Sequence, residues 1–394
     1  MLFYESVVLA LIAYCVLRGL SQRYSRPRAL IGIGCAAIVV YANWALARFA
    51  HAPLQPVVVV LAGTWFFCVL LAIVVGLPWL LVRRLIRIVQ RILILLRRTP
   101  VPEASLQDRR DFLATVAFPA VSLSLGAACS IYGGNKLILA QRTLYIRNWP
   151  RAPDGFRIGQ ITDTHVGDFI SSEWVAHAID LLNDARVHLQ VMTGDLLDDL
   201  YYLEPSFRAL EQCQAPLGML CVLGNHEKMH HRLQPILAAY RARQVAGKIR
   251  LLVDESTVLE HNGSPLCVVG VDYPMHINGS HLISKQKQHQ MMQISAARAF
   301  SAVNQTQALL CLSHHPDFFP LAQERRVHLT LSGHTHGGQI ALLGRPLYTP
   351  YEFNLGHYER SGSHLYVSGG TGHWLPLRYG VPMEVTVITL RSQT

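Results

Sequence analysis

The sequence predicts an α/β domain, with helices layered on sheet, behind a bundle of about four transmembrane helices. Three observations predict it. Of 394 residues 51% are hydrophobic and 15% charged, with mean hydropathy +0.25; disorder requires the reverse balance, and part of such a chain belongs in lipid. Charge is divided: residues 1–150 hold 16 Lys+Arg against 4 Asp+Glu, leaving 19 against 21 for the rest. Strand-like runs and helical stretches alternate after Leu137. The length favours two or more units, which we place at 1–135 (membrane domain with a basic cytoplasmic loop) and 136–394 (α/β domain).

In chain order, apolar runs cover Ser6–Leu17, Ala29–Ala47, Val57–Val82 and Phe112–Tyr132, where a spanning helix needs about 20 residues. The first is short and competes with a cleaved signal peptide; Glu5 at its start and arginines after it favour an uncleaved span. Arg18, Arg23, Arg26 and Arg28 follow span one, and Arg83, Arg84, Arg87, Arg91, Arg97, Arg98, Arg109 and Arg110 follow span three. The positive-inside rule makes both loops cytoplasmic and carries everything after Tyr132 outside. Arg84, Arg87, Arg91 and Arg98 share a helical face opposite Leu85, Ile88 and Ile92: either an interfacial helix on anionic lipid or a continuation of span three. Arg109-Arg110 before an apolar run resembles an internal twin-arginine export signal. The expected location is therefore an integral protein of a bacterial inner membrane, with the α/β domain on the extracytoplasmic side.

In the second unit, strands are expected at Leu144–Ile146, Phe156–Ile161, His188–Met192, Met219–Leu223, Leu266–Val271, Ala308–Leu312 and Val327–Leu331. Helices are expected at Glu173–Ala185, Pro205–Gln214, Leu233–Gln244 and Gln286–Val303. Such alternation puts function at the carboxyl ends of the strands. The near-neutral charge of this unit removes the electrostatic argument for nucleic-acid binding.

Of 19 histidines, 18 lie after residue 150, and the loops concentrate them: Asp163-Thr164-His165, Gly194-Asp195-Leu196-Leu197-Asp198, Gly224-Asn225-His226-Glu227, Ser313-His314-His315-Pro316 and Gly333-His334-Thr335-His336. If these segments are extended, residues i and i+2 point the same way, so Asp163 with His165, and His334 with His336, present paired ligands to one cleft. Glycine beside Asp195, Asn225 and His334 permits close approach of backbone. Mixed imidazole, carboxylate and amide donors suit Mn, Fe or Zn better than Ca. Two such cations about 3.5–4 Å apart clamp a phosphate and activate a water for in-line attack.

With those blocks in that order, the second unit resembles the calcineurin-like metallophosphoesterases, whose pattern is D-x-H, G-D-x-x-D, G-N-H-[DE], H and G-H-x-H. The ending His336-Gly337-Gly338-Gln339, with Leu365-Tyr366-Val367-Ser368-Gly369-Gly370, is most similar to the membrane-associated YkuE/YaeI-type branch. The resemblance implies a four-layer α-β-β-α sandwich over about residues 140–394 and hydrolysis of a phosphoester by a metal-bridging hydroxide. It implies one cation held by Asp163, His165, Asp195 and His336, and a second by Asp195, Asn225, His314 and His334. His314 is preferred to His315 on the family's H-x-P spacing.

His226 falls outside that ligand set and is the expected group to stabilise the transition state or protonate the leaving oxygen. Asp198 either orients His226 or caps a loop; Asp199 reads as solvent-facing. His230 and His231 read as an exposed helix entry. His315, His357 and His373 either face substrate or pack, and the stretch from Met275 to Met292 reads as ordinary packing. Cys15, Cys35, Cys68 and Cys129 fall in or beside the spans. Cys213, Cys221, Cys267 and Cys311 carry no C-x-x-C pair and read as buried free thiols, against a Cys213–Cys221 bridge.

The functional expectation is a membrane-anchored dinuclear phosphodiesterase or pyrophosphatase, with the bilayer as partner and a phosphoester, lipid-linked or otherwise envelope-derived, as substrate. Two readings compete. One is a hydrolase like the UDP-2,3-diacylglucosamine pyrophosphatases of lipid A synthesis, disfavoured because that substrate is cytosolic. The other is an inactive membrane scaffold, disfavoured by the full ligand set.

Overall fold

The computed structural model describes residues 136–147, 149, 154–245, 247–277, 283–304, 307–342, 345–347, 349–374 and 378–393, with the isolated Leu85. The four apolar spans, the basic stretch that follows span three, the Arg109-Arg110 pair, the first four cysteines and His281 lie outside the described residues. Among the described residues no helix is long and apolar enough to cross a membrane. The chain divides between Asn135 and Lys136, and the second unit is described by itself.

Two six-stranded mixed sheets form its centre. The first is ordered β1-β14-β2-β3-β4-β5 and the second β12-β13-β9-β8-β7-β6. In the first, β2 (Phe156–Ile161), β3 (Leu189–Thr193), β4 (Met219–Val222) and β5 (Ile249–Leu251) run parallel; β14 (Met383–Gln393) is antiparallel to β2 and parallel to β1 (Leu137–Arg147). In the second, β7 (Ser264–Gly270), β8 (Ala308–Leu312), β9 (Leu329–Ser332) and β13 (Ser363–Val367) are parallel, and β6 (Glu255–His261) and β12 (Gly356–Arg360) flank them antiparallel. A small hairpin joins β10 (Ala341–Leu342) to β11 (Arg345–Pro346).

Strand side chains alternate between faces, and the sequence exploits both. Leu189, Val191, Leu220 and Val222 of the first sheet share one apolar cluster with Leu266, Val268, Leu310 and Leu331 of the second, so the sheets pack face to face. The intervening residues point outward. Met192, Cys221, Val385 and Val387 meet α1 (Ser172–Asp184), α2 (Leu203–Leu210) and α4 (Leu233–Val245) through Ile179, Leu182, Phe207 and Ile236. On the far side Cys267, Val269, Leu309 and Cys311 meet α5 (Lys285–Ala299) and α6 (Phe319–Glu324) through Met292, Ala296 and Leu321. The order is helix, sheet, sheet, helix. Ser171 caps α1 and Ser284 caps α5, each hydroxyl accepting a first-turn N–H. Strands buried on both faces read as continuous apolar runs, which is why the central strands were legible. The edge strands β5, β6 and β12, the inner strands β13 and β14 and the β10–β11 hairpin were not expected, and β1 is longer than its Leu144–Ile146 kernel.

Candidate metal centre

Five parallel strands deliver the five blocks. The loops after β2, β3 and β4 carry Asp163 and His165, Asp195 and Asp198, and Asn225 and His226; those after β8 and β9 carry His314, His334 and His336. Because the strands run parallel within each packed sheet, their carboxyl ends gather these side chains at one edge. The premise of extended D-x-H and H-x-H segments does not hold. Asp163, His165, His334 and His336 have φ of 52°, 49°, 74° and 49°, and Asp195 has 56°, left-handed values that L residues adopt at a cost of about 1–3 kcal/mol each. The pairs converge through tight left-handed turns rather than through two-residue alternation. Glycine makes room for them: a Cβ on Gly224 would lie 2.1 Å from Asp195 Oδ1, and one on Gly333 would lie 2.1 Å from Asp163 Oδ2.

Hydrogen bonds then aim the donors. The carboxylate of Asp198 only accepts. Its Oδ1 takes Nδ1–H of His226 at 2.5 Å and of His165 at 3.1 Å, which turns both Nε2 atoms toward the centre. His314 donates Nδ1–H to the Thr193 carbonyl at 2.7 Å, again freeing Nε2. Asp195 accepts the His226 backbone N–H on Oδ1 at 2.8 Å. Its Oδ2 then faces three imidazoles, with Nε2 of His314 at 3.2 Å, of His165 at 3.7 Å and of His226 at 4.0 Å. His336 Nε2 lies 3.0 Å from His165 Nε2 and 3.5 Å from Asp163 Oδ1, while Asn225 Oδ1 lies 3.2 Å from His314 Nε2. His334 has its Nε2 engaged by the hydroxyls of Tyr351 at 2.7 Å and Tyr273 at 3.2 Å, leaving Nδ1 for the cluster.

Three groups of ligand atoms, each within 4.8 Å of one another, result: Asp163, His165 and His336; Asp195, His314 and His334; and His165, Asp195 and His226. The first two are the cores of the two expected ligand sets, with Asp195 placed between them and Asn225 beside the second. The donor set fits two borderline divalent cations. Buried carboxylates and imidazoles packed this closely need compensating charge, which cations supply.

The electrostatics agree. Burial works against the charge on Asp195, yet His314 and His226 outweigh it and hold the carboxyl well below its usual range. Asp198 is likewise held low, with His226 and His165 overcoming its burial. Burial disfavours the protonated rings of His226 and His314, but the Asp198, Asp195 and Asp163 carboxylates push both up to about 9. Burial and neighbouring cationic imidazoles hold His334 and His336 well below their usual value.

All nine site residues expected from sequence meet here. Asp198 orients His226 rather than capping a loop, and it reaches His165 as well. Asp199 is exposed and accepts the Tyr201 N–H. His315 turns away: its Nδ1 accepts the Asp317 N–H, its Nε2 meets Gln288, and burial with His314 alongside pushes it down to about 3. His357 stacks on His364 in the β12–β13 hairpin. His373 is buried near His165 and Arg378. His230 and His231 are exposed ahead of α4. Met275 packs with Met229 and Tyr273, and Met292 lies in the outer core. Cys213, Cys221, Cys267 and Cys311 are buried free thiols.

Residues outside the expected list hold the loops. Glu227, buried, accepts the backbone N–H groups of Asp195, Leu196 and Gly224 at 3.0, 2.6 and 2.7 Å, and its place in the G-N-H-[DE] block was its signal. Tyr273, Tyr351 and Arg378 have no local signature and come to the site only through the fold.

A centre of this composition on this sandwich defines a metal-dependent phosphoester hydrolase. The calcineurin-like phosphoesterase family model matches residues 156–338. Over 252 residues the chain is 32% identical to "Uncharacterized metallophosphoesterase YkuE" of Bacillus subtilis, covering 62% of this chain and 82% of that protein. An "Uncharacterized metallophosphoesterase" of Helicobacter pylori is 28% identical, covering 58% of each chain. A "Transmembrane protein with metallophosphoesterase domain" of Danio rerio is 24% identical, covering 63% of this chain and 56% of that protein. The chain thus spans most of the first relative but less than two thirds of the other two. It belongs to the calcineurin-like phosphoesterases, in the branch that holds YkuE.

Proposed function

We propose that the chain is a membrane-anchored phosphodiesterase or pyrophosphatase that cleaves a phosphoester of a lipid or other envelope molecule on the outer side of the membrane. The observation that carries the chemistry is Asp195 Oδ2 facing His165 of one ligand group at 3.7 Å and His314 of the other at 3.2 Å, with the His226–Asp198 pair at their edge. Divalent cations held by Asp163, His165, Asp195 and His336, and by Asp195, Asn225, His314 and His334, would polarise the phosphoryl oxygens and activate a water.

The protein's own part is positional and acid–base. Asp198 accepts Nδ1–H of His226 and favours the doubly protonated ring, so that Nε2, 4.0 Å from Asp195 Oδ2, carries a proton as well and presents it to the cluster. As the bond between phosphorus and the leaving oxygen breaks, that proton passes to the leaving oxygen, a transfer worth about 10²–10⁴ in rate. Anchoring is supported by the apolar runs and asymmetric arginines of residues 1–135, and a lipid-linked substrate follows from holding the centre near headgroups.

The test is hydrolysis of bis-p-nitrophenyl phosphate by detergent-purified full-length protein with added Mn, with and without chelator. Turnover that chelation abolishes, and that Asp195→Asn and His226→Ala both lose, is the expected result. Turnover unaffected by chelator, or a wild type that retains no metal, refutes it.

A further inference from the structure

Arg232 stands between α3 (Asn225–Lys228) and α4 and has no part in the chemistry above. Its Nη1 donates to the His226 carbonyl at 3.1 Å and lies 3.9 Å from Asp198 Oδ1, beyond hydrogen-bond reach. That oxygen is already taken by two imidazoles, His226 at 2.5 Å and His165 at 3.1 Å. A guanidinium carries five N–H donors, and among the described residues only one of those on Arg232 is spent. The side chains of Arg232, His226 and Asp198 are 13%, 14% and 30% exposed, so the three border one opening beside the centre. The backbone leading there is unusual: His230 and His231, just before Arg232, have φ of 52° and 58°, left-handed values that L residues adopt only at a cost. Capping one carbonyl requires neither a cation nor that backbone.

The position has a chemical meaning. His226 hands its proton to the leaving oxygen, so whatever that oxygen is attached to lies on the side of the centre where His226 stands. Arg232 touches the His226 backbone and flanks its carboxylate partner. Its guanidinium therefore meets the leaving group rather than the phosphoryl group under attack. A planar fork of N–H donors matches paired phosphate oxygens, and a cation there favours a leaving group that departs with more negative charge. An alcohol or phenol offers the fork nothing to grip. A second phosphoryl group offers free oxygens and a negative charge.

We propose that Arg232 reads the leaving group, and that the substrate class is a diphosphate diester cleaved at its phosphorus–oxygen–phosphorus bridge. The oxygen of water bonds to the attacked phosphorus as the bond from that phosphorus to the bridging oxygen breaks. The electron pair departs on the bridging oxygen of a phosphomonoester, which Arg232 holds. His226 supplies the proton for that oxygen; one proton of the water replaces it, and the other stays on the second phosphomonoester. This rests on the phosphoesterase reading above and chooses the pyrophosphatase form over the phosphodiesterase.

Full-length protein in detergent with saturating Mn is given either bis-p-nitrophenyl phosphate, which releases p-nitrophenolate, or bis-p-nitrophenyl diphosphate, whose bridge cleavage releases p-nitrophenyl phosphate. Products are separated by chromatography. The aryl groups are the same, so the ratio of the two kcat/KM values isolates the second phosphoryl group. Compared are wild type, Arg232→Gln, Arg232→Lys, and Arg243→Gln as a control at a surface ion pair. Wild type and the control should favour the diphosphate. Arg232→Gln should lose about 10–100-fold more on the diphosphate than on the simple diester, and Arg232→Lys should keep only part of the preference. Calorimetric binding of bis-p-nitrophenyl methylenediphosphonate, whose bridge resists hydrolysis, should weaken in Arg232→Gln by a similar factor. Equal losses on both substrates, as a mere cap on the His226 carbonyl would give, or unchanged binding of the methylene compound, would overturn the proposal. If Arg232→Gln does not fold, Arg232→Lys decides, and a wild-type ratio there overturns it. A wild type that cleaves the simple diester but not the diphosphate refutes this inference alone; one that cleaves neither refutes the phosphoesterase reading and this inference with it.

Discussion

Replacing Asp198 by Asn removes one charge and leaves the shape nearly unchanged, and Asp198 Oδ1 serves two imidazoles, His226 at 2.5 Å and His165 at 3.1 Å. A hydrogen bond to a charged group contributes about 1.5–3 kcal/mol, and about 1.4 kcal/mol is tenfold in a rate or equilibrium constant. The bond to His226 then predicts a loss of about 10–100-fold in kcat. The bond to His165 predicts a similar weakening of one cation. Because the Asp198 side chain is 30% exposed, solvent screening moves both figures toward the lower end. The assay is hydrolysis of bis-p-nitrophenyl phosphate across a Mn titration. At saturating Mn the cation effect is masked, so the remaining deficit reports His226 alone. His226→Ala should lose about 10²–10⁴ in kcat with both cations retained, and the double variant should be no slower than His226→Ala. An Asp198→Asn enzyme within about twofold of wild type at saturating Mn, or additive losses in the double variant, would refute the argument that Asp198 acts through His226.

The metal-free protein should lose stability as pH rises from about 6.5 to 9. His226 and His314 are both pushed up to about 9, so their stabilisation is complete below the unfolded value near 6.5 and disappears through the folded one. Thermal midpoints of chelated protein across that range test this, and His226→Asn should flatten part of the slope; a wild-type midpoint constant from pH 6.5 to 9 contradicts it. Gly224→Ala should abolish metal retention, since its Cβ would meet Asp195 Oδ1 at 2.1 Å; two cations found in that variant by elemental analysis would show that the loop yields. Glu227→Gln should lower the thermal midpoint of the chelated protein by several degrees, as one oxygen of a three-way acceptor becomes a donor facing backbone N–H groups. An unchanged midpoint there means that the 194–196 and 224 loops are held some other way.

The four expected helices and the strands β2, β3, β4, β7, β8 and β9 were legible because burial on both faces writes itself into long apolar runs and 3.6-residue patterns, whereas the inner strands β13 and β14 were not expected. The ligand residues were legible for another reason: metal-binding side chains and the glycines around them are too specialised to sit in strand-end loops as mere solvation. The edge strands β5 and β6 were not legible, since a half-exposed edge needs no apolar run. β14 alternates apolar and polar residues only from Met383 to Val387 and is buried almost throughout as far as Leu390; its place between β1 and β2 is a matter of topology.

The sequence by itself determined the reaction class, the donor residues and their grouping into blocks, because chemistry depends on side-chain type and each block is local. The preference for His314 over His315 came from the H-x-P spacing of the family that the sequence resembles. The tertiary structure decided what depends on contacts between distant segments. Packing of two mixed sheets brings Asp163 to His336 across 173 positions, and left-handed turns rather than extended backbone aim them. It alone shows which ring nitrogen several of the histidines offer, because that is set by the partner on the other nitrogen: Asp198, the Thr193 carbonyl or two tyrosines. Arg378 stands 42 residues from His336, and no local pattern could join them; only the fold places the guanidinium behind the ring.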